Sequence, residues 1–501
     1  MSSKVSGLLA ETTSPIIQEH LVGPSLRREF PAVLSIMTAI NEAHILMLAG
    51  QGIIDGPTAA ALARTVIRIE AEGPGSVPLD PAREDTYFNY EARIIELAGG
   101  DIGGRSHIAR SRNDLKATQD RLRARTLALA LLDGLAGLRR TLLARAALHA
   151  DVVMPGYTHL QPAQPVTFGW YLLGIAHAME RDHRRLAECY ARIDVNPLGT
   201  GAVAGTSFPV DRALTARLLG FAAVSGHAQD AVASRDFLVE LLGGCAMLAN
   251  SWGRMAQDFF VMSSYEFGTL HFPDSVAGTS SMMPQKKNLV VLESLKARAA
   301  TILGAQVAAF VGVKGTNFTN VVDGVRDAFR WAWEALDDTI HALAIAELVV
   351  ATAEPAPARM LELARANFST ATDLADGLVR QAGLSFREAH HLVGAIVRTA
   401  MARGLTADRI DSALIDEESL RMLGRPIELA PELVARIVDP VAVAEERRGS
   451  GGPSKADMAG MQAALGARLA SDQAEVDGWR SAIAAADTER RRRFQALAAS
   501  A

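Results

Sequence analysis

Between Gly278 and Asn288 the sequence reads Gly-Thr-Ser-Ser-Met-Met-Pro-Gln-Lys-Lys-Asn, which puts paired hydroxyls, two ammonium groups and an amide on one short loop. Ser280, Ser281, Lys286 and Asn288 form a set suited to an anion, because charged and N–H donors stabilise negative charge where it sits or develops. The charges alone would fit a solvated surface loop better. Three further polar loops stand out. Arg105–Asp114 leads directly into a long helical pattern. There Arg112 offers a two-pronged fork for a carboxylate, Asn113 an amide, and the helix start its free N–H groups. A helix cap at Asn113 or Asp114 with solvated arginines is the plainer reading of that segment. Pro155–Pro165, polar and proline-flanked, can present Thr158 and His159 to a cleft, although a lone histidine is more often structural. Asn196–Thr206 lacks the Lys-Ser/Thr ending of a phosphate loop and follows no strand, so it points to close backbone packing rather than to a nucleotide.

The elements that must position these loops read as helices. Apolar residues recur at helical spacing from residue 32 to 49 (Leu34, Met37, Ile40, Ile45, Leu48), ending at Gly50. Pro57 to Glu72 fits a second helix, stopped by Gly73-Pro74-Gly75. Asp114 to Leu148 and the stretches 165–191, 229–264, 288–313 and 325–352 carry the same period. Helices this long cannot bury their apolar faces alone; they need one another and copies from other subunits. No alternating strand pattern is sustained, so the expected fold class is all-α. Ala353-Glu354-Pro355-Ala356-Pro357 reads as a boundary, which gives three helical units over 1–112, 113–354 and 355–501.

Composition narrows the function classes. The chain is 49% hydrophobic and 21% charged, with a formal net charge of −5, which describes a globular protein with no basic field for nucleic acid or an acidic membrane. Arg490-Arg491-Arg492-Arg493 reads as the solvated end of a last helix. Cys189 and Cys245 belong to no CxxC or Cys/His cluster, so neither a disulfide framework nor a zinc site is expected. Residues 1–15 lack a basic start followed by an apolar core, and the apolar stretches break before about 18 residues. A cytoplasmic protein is expected.

The 278–288 loop closely resembles the signature of the fumarase/aspartase superfamily, and its Gln285-Lys286-Lys287-Asn288 ending looks most like the argininosuccinate lyase branch. Arg110–Asp114, Gly156–Gln161 and Pro197–Ala202 are similar to that branch's blocks in the same order, as are Ala371–Asp376 and Phe386–His390. The resemblance runs from about residue 84 to the Gly451-Gly452 turn. It implies a homotetramer with a shared long-helix core, each site drawing loops from three subunits, and neither metal nor redox cofactor. The implied reaction is reversible elimination of an amine from an N-substituted aspartate, giving fumarate. Ser280 falls on the catalytic serine, and a neutral serine needs a field from Lys286 and loop N–H groups to serve as base. Lys286 and Asn288 fall on carboxylate-binding positions, and Ser281 could donate to the same carboxylate. Ser111, Arg112, Asn113 and Thr158 fall on substrate contacts, His159 on the active-site histidine and Glu293 on its acidic partner.

The departures point to the substrate. Thr279 stands where the signature has Gly, and Leu289 where the branch has Pro. After Lys314-Gly315 the branch carries Tyr-Asn-Lys-Asp-Met-Gln-Glu-Asp, whereas Asn320–Asp327 here reads Asn-Val-Val-Asp-Gly-Val-Arg-Asp. The chain also lacks the branch's Trp-Gly-Gly-Arg-Phe opening. A pocket that loses groups for a guanidinium and gains Arg326 should favour an acidic leaving amine, as in an aminopolycarboxylate such as ethylenediamine-N,N′-disuccinate. The plainer reading of Arg326 is a pair with Asp323 or Asp327. Argininosuccinate is the rival substrate, and an adenylosuccinate-type activity fits the signature ending less well. A crystallin-like structural role is opposed by the intact Ser280, Lys286, Asn288, His159 and Glu293.

Overall fold

A computed structural model describes residues 11–500, so the first ten residues of the stretch read for a leader lie outside it. Helix α1 (Gly23–Gly50) begins nine residues before the periodic stretch, because Leu26 and Phe30 carry the buried stripe through Pro31. Together with the turns before it, Pro15–Gly50 is long and apolar enough to cross a membrane by length and composition, contrary to expectation. Its apolar window is 67% buried inside the protein, as in a core helix. Helix α2 (Gly56–Glu72) is capped by Asp55, which accepts from the Thr58 N–H at 2.8 Å. Helix α3 (Thr86–Ala98) precedes α4 (Arg112–Leu148), whose 37 residues span about 55 Å.

The central bundle continues with α5 (Phe168–Ile193), α6 (Asp236–Met262), α7 (Val290–Lys314) and α8 (Ala332–Thr352). The single helix expected over 229–264 is broken at Ser234-Arg235. Buried Arg235 bonds Asp120 at 2.9 Å and the Val232 and Ser234 carbonyls at 3.2 and 3.0 Å, taking up groups at the end of the short helix Ala228–Ala233. The all-α class holds, but the fold is not free of strands. The loop expected over 155–165 is a hairpin of β1 (Val153–Thr158) and β2 (Gln161–Thr167), and β3 (Gly278–Thr279) pairs with β4 (Lys287–Asn288). At the expected boundary, Glu354–Pro355 pairs with Leu270–His271.

Three apolar cores result. One lies among α4 to α8, around Leu138, Trp252, Phe259 and Leu336. A second gathers α1 to α3, the first turns of α4 and Leu218–Phe221. The third, from Leu374 to Val438, holds α9 (Ala371–Ala382) and α10 (Phe386–Ala402). The last helix, α11 (Lys455–Ala499), does not join that third core as the 355–501 unit implies. Met458, Leu465, Leu469 and Val476 pack into the first core and Phe494 into the second. Nor is the arginine run solvated throughout: buried Arg490 bonds Glu42 at 2.7 Å, and Arg491 meets Glu70 at 3.0 Å. A charged run on a helix still presents one residue per turn to whatever the helix packs on. Conversely, α7 exposes Leu303, Val307, Phe310 and Val311, an apolar stripe at i, i+4, i+7 and i+8 that the single chain leaves uncovered.

Candidate active site

The β3–β4 ribbon closes the 280–286 loop through the pairs Gly278↔Asn288 and Thr279↔Lys287. Thr279 lies in this extended ribbon without positive φ, so the departure from Gly brings no backbone strain. Inside the loop the Ser280 Oγ accepts from the backbone N–H groups of Met283 at 3.0 Å and Met282 at 3.4 Å. Two N–H donors aimed at a hydroxyl oxygen favour its ionised form, the field that a serine base requires. Lys287 is tied down by the Phe272 carbonyl and by Asp274 at 2.8 Å. Lys286 is exposed and its side chain has no hydrogen bond or ion pair among the described residues, while its backbone N–H donates to the Met283 carbonyl at 3.1 Å; Ser281 beside the base is exposed as well. The Asn288 amide reaches the Thr279 carbonyl only at 3.5 Å.

Thr158 and His159 stand at the exposed tip of the β1–β2 hairpin. His159 (φ 54°) and Leu160 (φ 57°) form its two-residue turn, which with positive φ at both central positions is of type I′. For side-chain-bearing residues that costs about 1–3 kcal/mol each, a strain characteristic of positions held for function. Glu293 lies in the first turn of α7, exposed. Among the described residues no hydrogen bond or ion pair joins it to His159, and none links Ser280, His159 and Lys286. The chain does not assemble these four by itself.

The helix-start residues are assembled. Ser111 caps α4, its Oγ accepting from the Asn113 N–H at 3.2 Å while Asp114 accepts from the Ser111 N–H at 3.0 Å. The cap is therefore Ser111, not Asn113 or Asp114. Arg112 Nη1 donates to Glu84 at 3.1 Å and Asp85 at 2.9 Å, and its guanidinium lies 4.1 Å over the Phe88 ring. Asn113 donates to the Ala202 carbonyl at 2.9 Å and accepts from Asn320 at 3.0 Å. The 196–206 loop packs closely, as its small residues suggested. Gly199 and Gly201 turn at φ 89° and 62° and point their N–H groups at Asp114, 2.8 and 3.1 Å away.

Arg112, Asn113, Asn320 and Arg326 border one cavity of about 260 Å³, which Glu29 and Lys116 also line. Arg326 donates to Asp327 at 2.8 Å, the plainer pairing, yet still lines the space. Burial pushes Glu29 up, but Lys116, the Ser25 hydroxyl and Arg28 outweigh it and hold the carboxyl below its ordinary range. Burial likewise pushes Lys116 down, and Asp120 and Glu29 more than restore its charge. The Gln119 Oε1 is buried against the cavity without a partner. Lys116, Gln119 and Glu29 escaped the sequence reading. The signal available was spacing, since residues 112, 116, 119 and 123 fall on one face of a helix.

Two family models match the chain, one described as lyase over residues 48–304 and one as argininosuccinate lyase C-terminal over 368–444. Argininosuccinate lyase 1 of Shouchella clausii is 38% identical over 481 residues, covering 96% of this chain and 97% of that relative. The chain belongs to the fumarase/aspartase superfamily, in its argininosuccinate lyase branch. This superfamily member is a carbon–nitrogen lyase. Another relative, argininosuccinate lyase of Methanothermobacter thermautotrophicus, is 39% identical over 83% of this chain and 88% of its own length. Among solved structures, an EDDS lyase variant with bound fumarate superposes at TM-score 0.86 and 30% identity, covering 98% of this lyase and 97% of that chain. A class II fumarase from Schistosoma mansoni, 18% identical, shares the fold at TM-score 0.64, covering 82% of this chain and 90% of its own.

Proposed function

We propose that this lyase splits an N-substituted aspartate into fumarate and an amine whose far arm bears carboxylate, as in ethylenediamine-N,N′-disuccinate. Ser280, as alkoxide, takes the proton from the carbon beside one carboxylate. The C–H electron pair moves onto that carboxylate as an aci-carboxylate. It then returns to form the fumarate double bond while the C–N pair leaves with nitrogen, which gains a proton. The two N–H groups on Ser280 support the alkoxide, and Lys286, Asn288, Arg112 and Asn113 supply donors for the substrate carboxylates. His159 with Glu293 would deliver the last proton once loops from different subunits meet in a homotetramer. The uncovered apolar stripe of α7 supports that assembly.

One observation carries the acidic arm. Every carboxylate lining the 260 Å³ cavity is already engaged by a cation of the same cavity, Glu84 and Asp85 by Arg112 and Glu29 by Lys116. None is free for a guanidinium, whereas Arg326 lines the cavity with its acid partner, Asp327, outside that lining. Argininosuccinate remains the second reading because the curated relatives carry that name. Fumarate absorbance during incubation with both substrates decides between them. The expected result is kcat/KM at least about tenfold higher for the aminopolycarboxylate, the worth of one favourable charge contact. The opposite order establishes argininosuccinate, and no fumarate from either overturns the reaction.

A further inference from the structure

Beyond Lys116 and Arg326 lies a second cavity of about 230 Å³, floored by Phe329 and Trp333 and reached along the same face of α4. Glu29, Lys116 and Arg326 line both spaces, so the two adjoin. We infer that this second cavity is a subsite for the terminal anionic group of the amine arm, with Arg123 as its anchor. The inference rests on the elimination proposed above and specifies how long its substrate is.

The charges inside the second cavity do not balance. Lys116 shares Asp120 with buried Arg235, at 3.5 and 2.9 Å, and meets Glu29 at 3.6 Å. Arg326 has Asp327. The Arg123 side chain has no hydrogen bond or ion pair among the described residues; its guanidinium lies 4.3 Å over the Trp333 ring, and the acid acting on it most, Asp337, stands at the rim beyond ion-pair distance. At the rim stand exposed Arg28, 3.7 Å from Glu29, and exposed Arg330, Glu334 and Asp337, so that five cations and four acids line the cavity. A half-buried guanidinium that lacks a carboxylate is unfavourable until one arrives. Stacking on Trp333 occupies its face and leaves the in-plane N–H fork for a two-pronged carboxylate contact.

The geometry of α4 sets a ruler. From Arg112 the axis rises about 6 Å to Lys116 and about 16 Å to Arg123. A substrate held at Arg112 and Asn113 by its aspartate end therefore brings its terminal carboxylate toward Arg123 only as its arm lengthens, with the Arg123 side chain reaching back along the helix to meet it. Shorter acidic amines stop at Lys116.

The reverse reaction tests this directly. Fumarate consumption is measured with glycine, 4-aminobutanoate and 6-aminohexanoate, each against the neutral alkylamine of matched length, in wild type, Arg123→Gln and Arg123→Lys. In wild type the preference for acid over neutral amine should grow with length, to about tenfold or more for the six-carbon pair. Arg123→Gln should erase that growth, chiefly through KM, and Arg123→Lys, which keeps the charge but loses the fork and the stacking face, should retain only part of it. A preference independent of length, or one unchanged in Arg123→Gln, overturns the subsite while leaving the elimination standing. No addition of any amine, with no fumarate formed from any N-substituted aspartate, overturns the elimination itself and the subsite with it.

Discussion

The start of α4 and the tip of the 278–288 loop carry comparable sets of polar groups in opposite states. At α4 each of the three side chains has found a partner inside the chain: Ser111 caps, Arg112 is held between two acids through one nitrogen with the rest of its fork unbonded, and Asn113 bonds both Ala202 and Asn320. On the loop Lys286 and Ser281 stand exposed, as do His159 on its hairpin and Glu293 on α7. Groups that hold a substrate can be preassembled on a rigid helix, because the helix supplies their geometry. Groups that move the proton wait on turns for neighbours. On the proposed reading, binding belongs to one chain and chemistry to the assembly.

The strongest blow to this contrast falls on the loop. Ser280→Ala should keep its fold and thermal midpoint yet lose about three or more decades of kcat, the scale of a positioned base with its local field. Turnover near wild type would place the base elsewhere. The contrast sharpens if catalysis is shared: inactive Ser280→Ala and inactive His159→Asn proteins, mixed under subunit exchange, should recover partial activity. A fully active monomer in sedimentation would break it.

Smaller effects probe the frame that supports both regions. At the α4–α5–α11 junction, Arg139 bonds Asp472 at 2.7 Å and buried His183 lies 3.6 Å from the same carboxylate. Burial, joined by Arg139 and Arg468, lowers the His183 pKa to about 4 from its ordinary 6.5, against the pull of Asp472. The unfolded chain thus takes up this proton first. The stabilisation is complete above pH 6.5 and is lost as pH falls from 6.5 to 4. The loss amounts to at most about 3 kcal/mol. Urea titrations across that window should show a shallower acid loss for His183→Gln; an unchanged slope would remove His183 as the cause. Ser111→Ala should cost about 1 kcal/mol, the usual worth of an N-cap. If kcat/KM falls by more than thermal unfolding explains, Ser111 serves the substrate as well as the helix.

Much of this arrangement was legible beforehand. The long helices follow from apolar spacing, and the ordered motifs pointed to the loops that now carry Ser280, His159 and Arg112. The β1–β2 hairpin was hidden because Pro155, Pro162 and Pro165 read as loop, and because His159-Leu160 replaces the Asn-Gly pair that announces such a turn. The break at Arg235 was invisible because its cause, Asp120, lies 115 positions away in sequence. Buried Arg490 was masked by its three arginine neighbours. In each case a contact distant in sequence decided what local pattern could not.

Helix α11 is made after every element it packs against, yet it completes two of the three cores: Phe494 closes the first-built one, and Asp472 meets Arg139 inside the bundle. At about 5–20 residues per second a ribosome spends roughly half a minute or more on the preceding 454 residues. Throughout that time the apolar ridges on α2, α4 and α5 that α11 will cover remain open to solvent and to chaperones. Emergence of α11, rather than of the first core, is therefore the event that commits this chain to its native state, and termination just before residue 455 leaves two unfinished cores instead of one shortened protein.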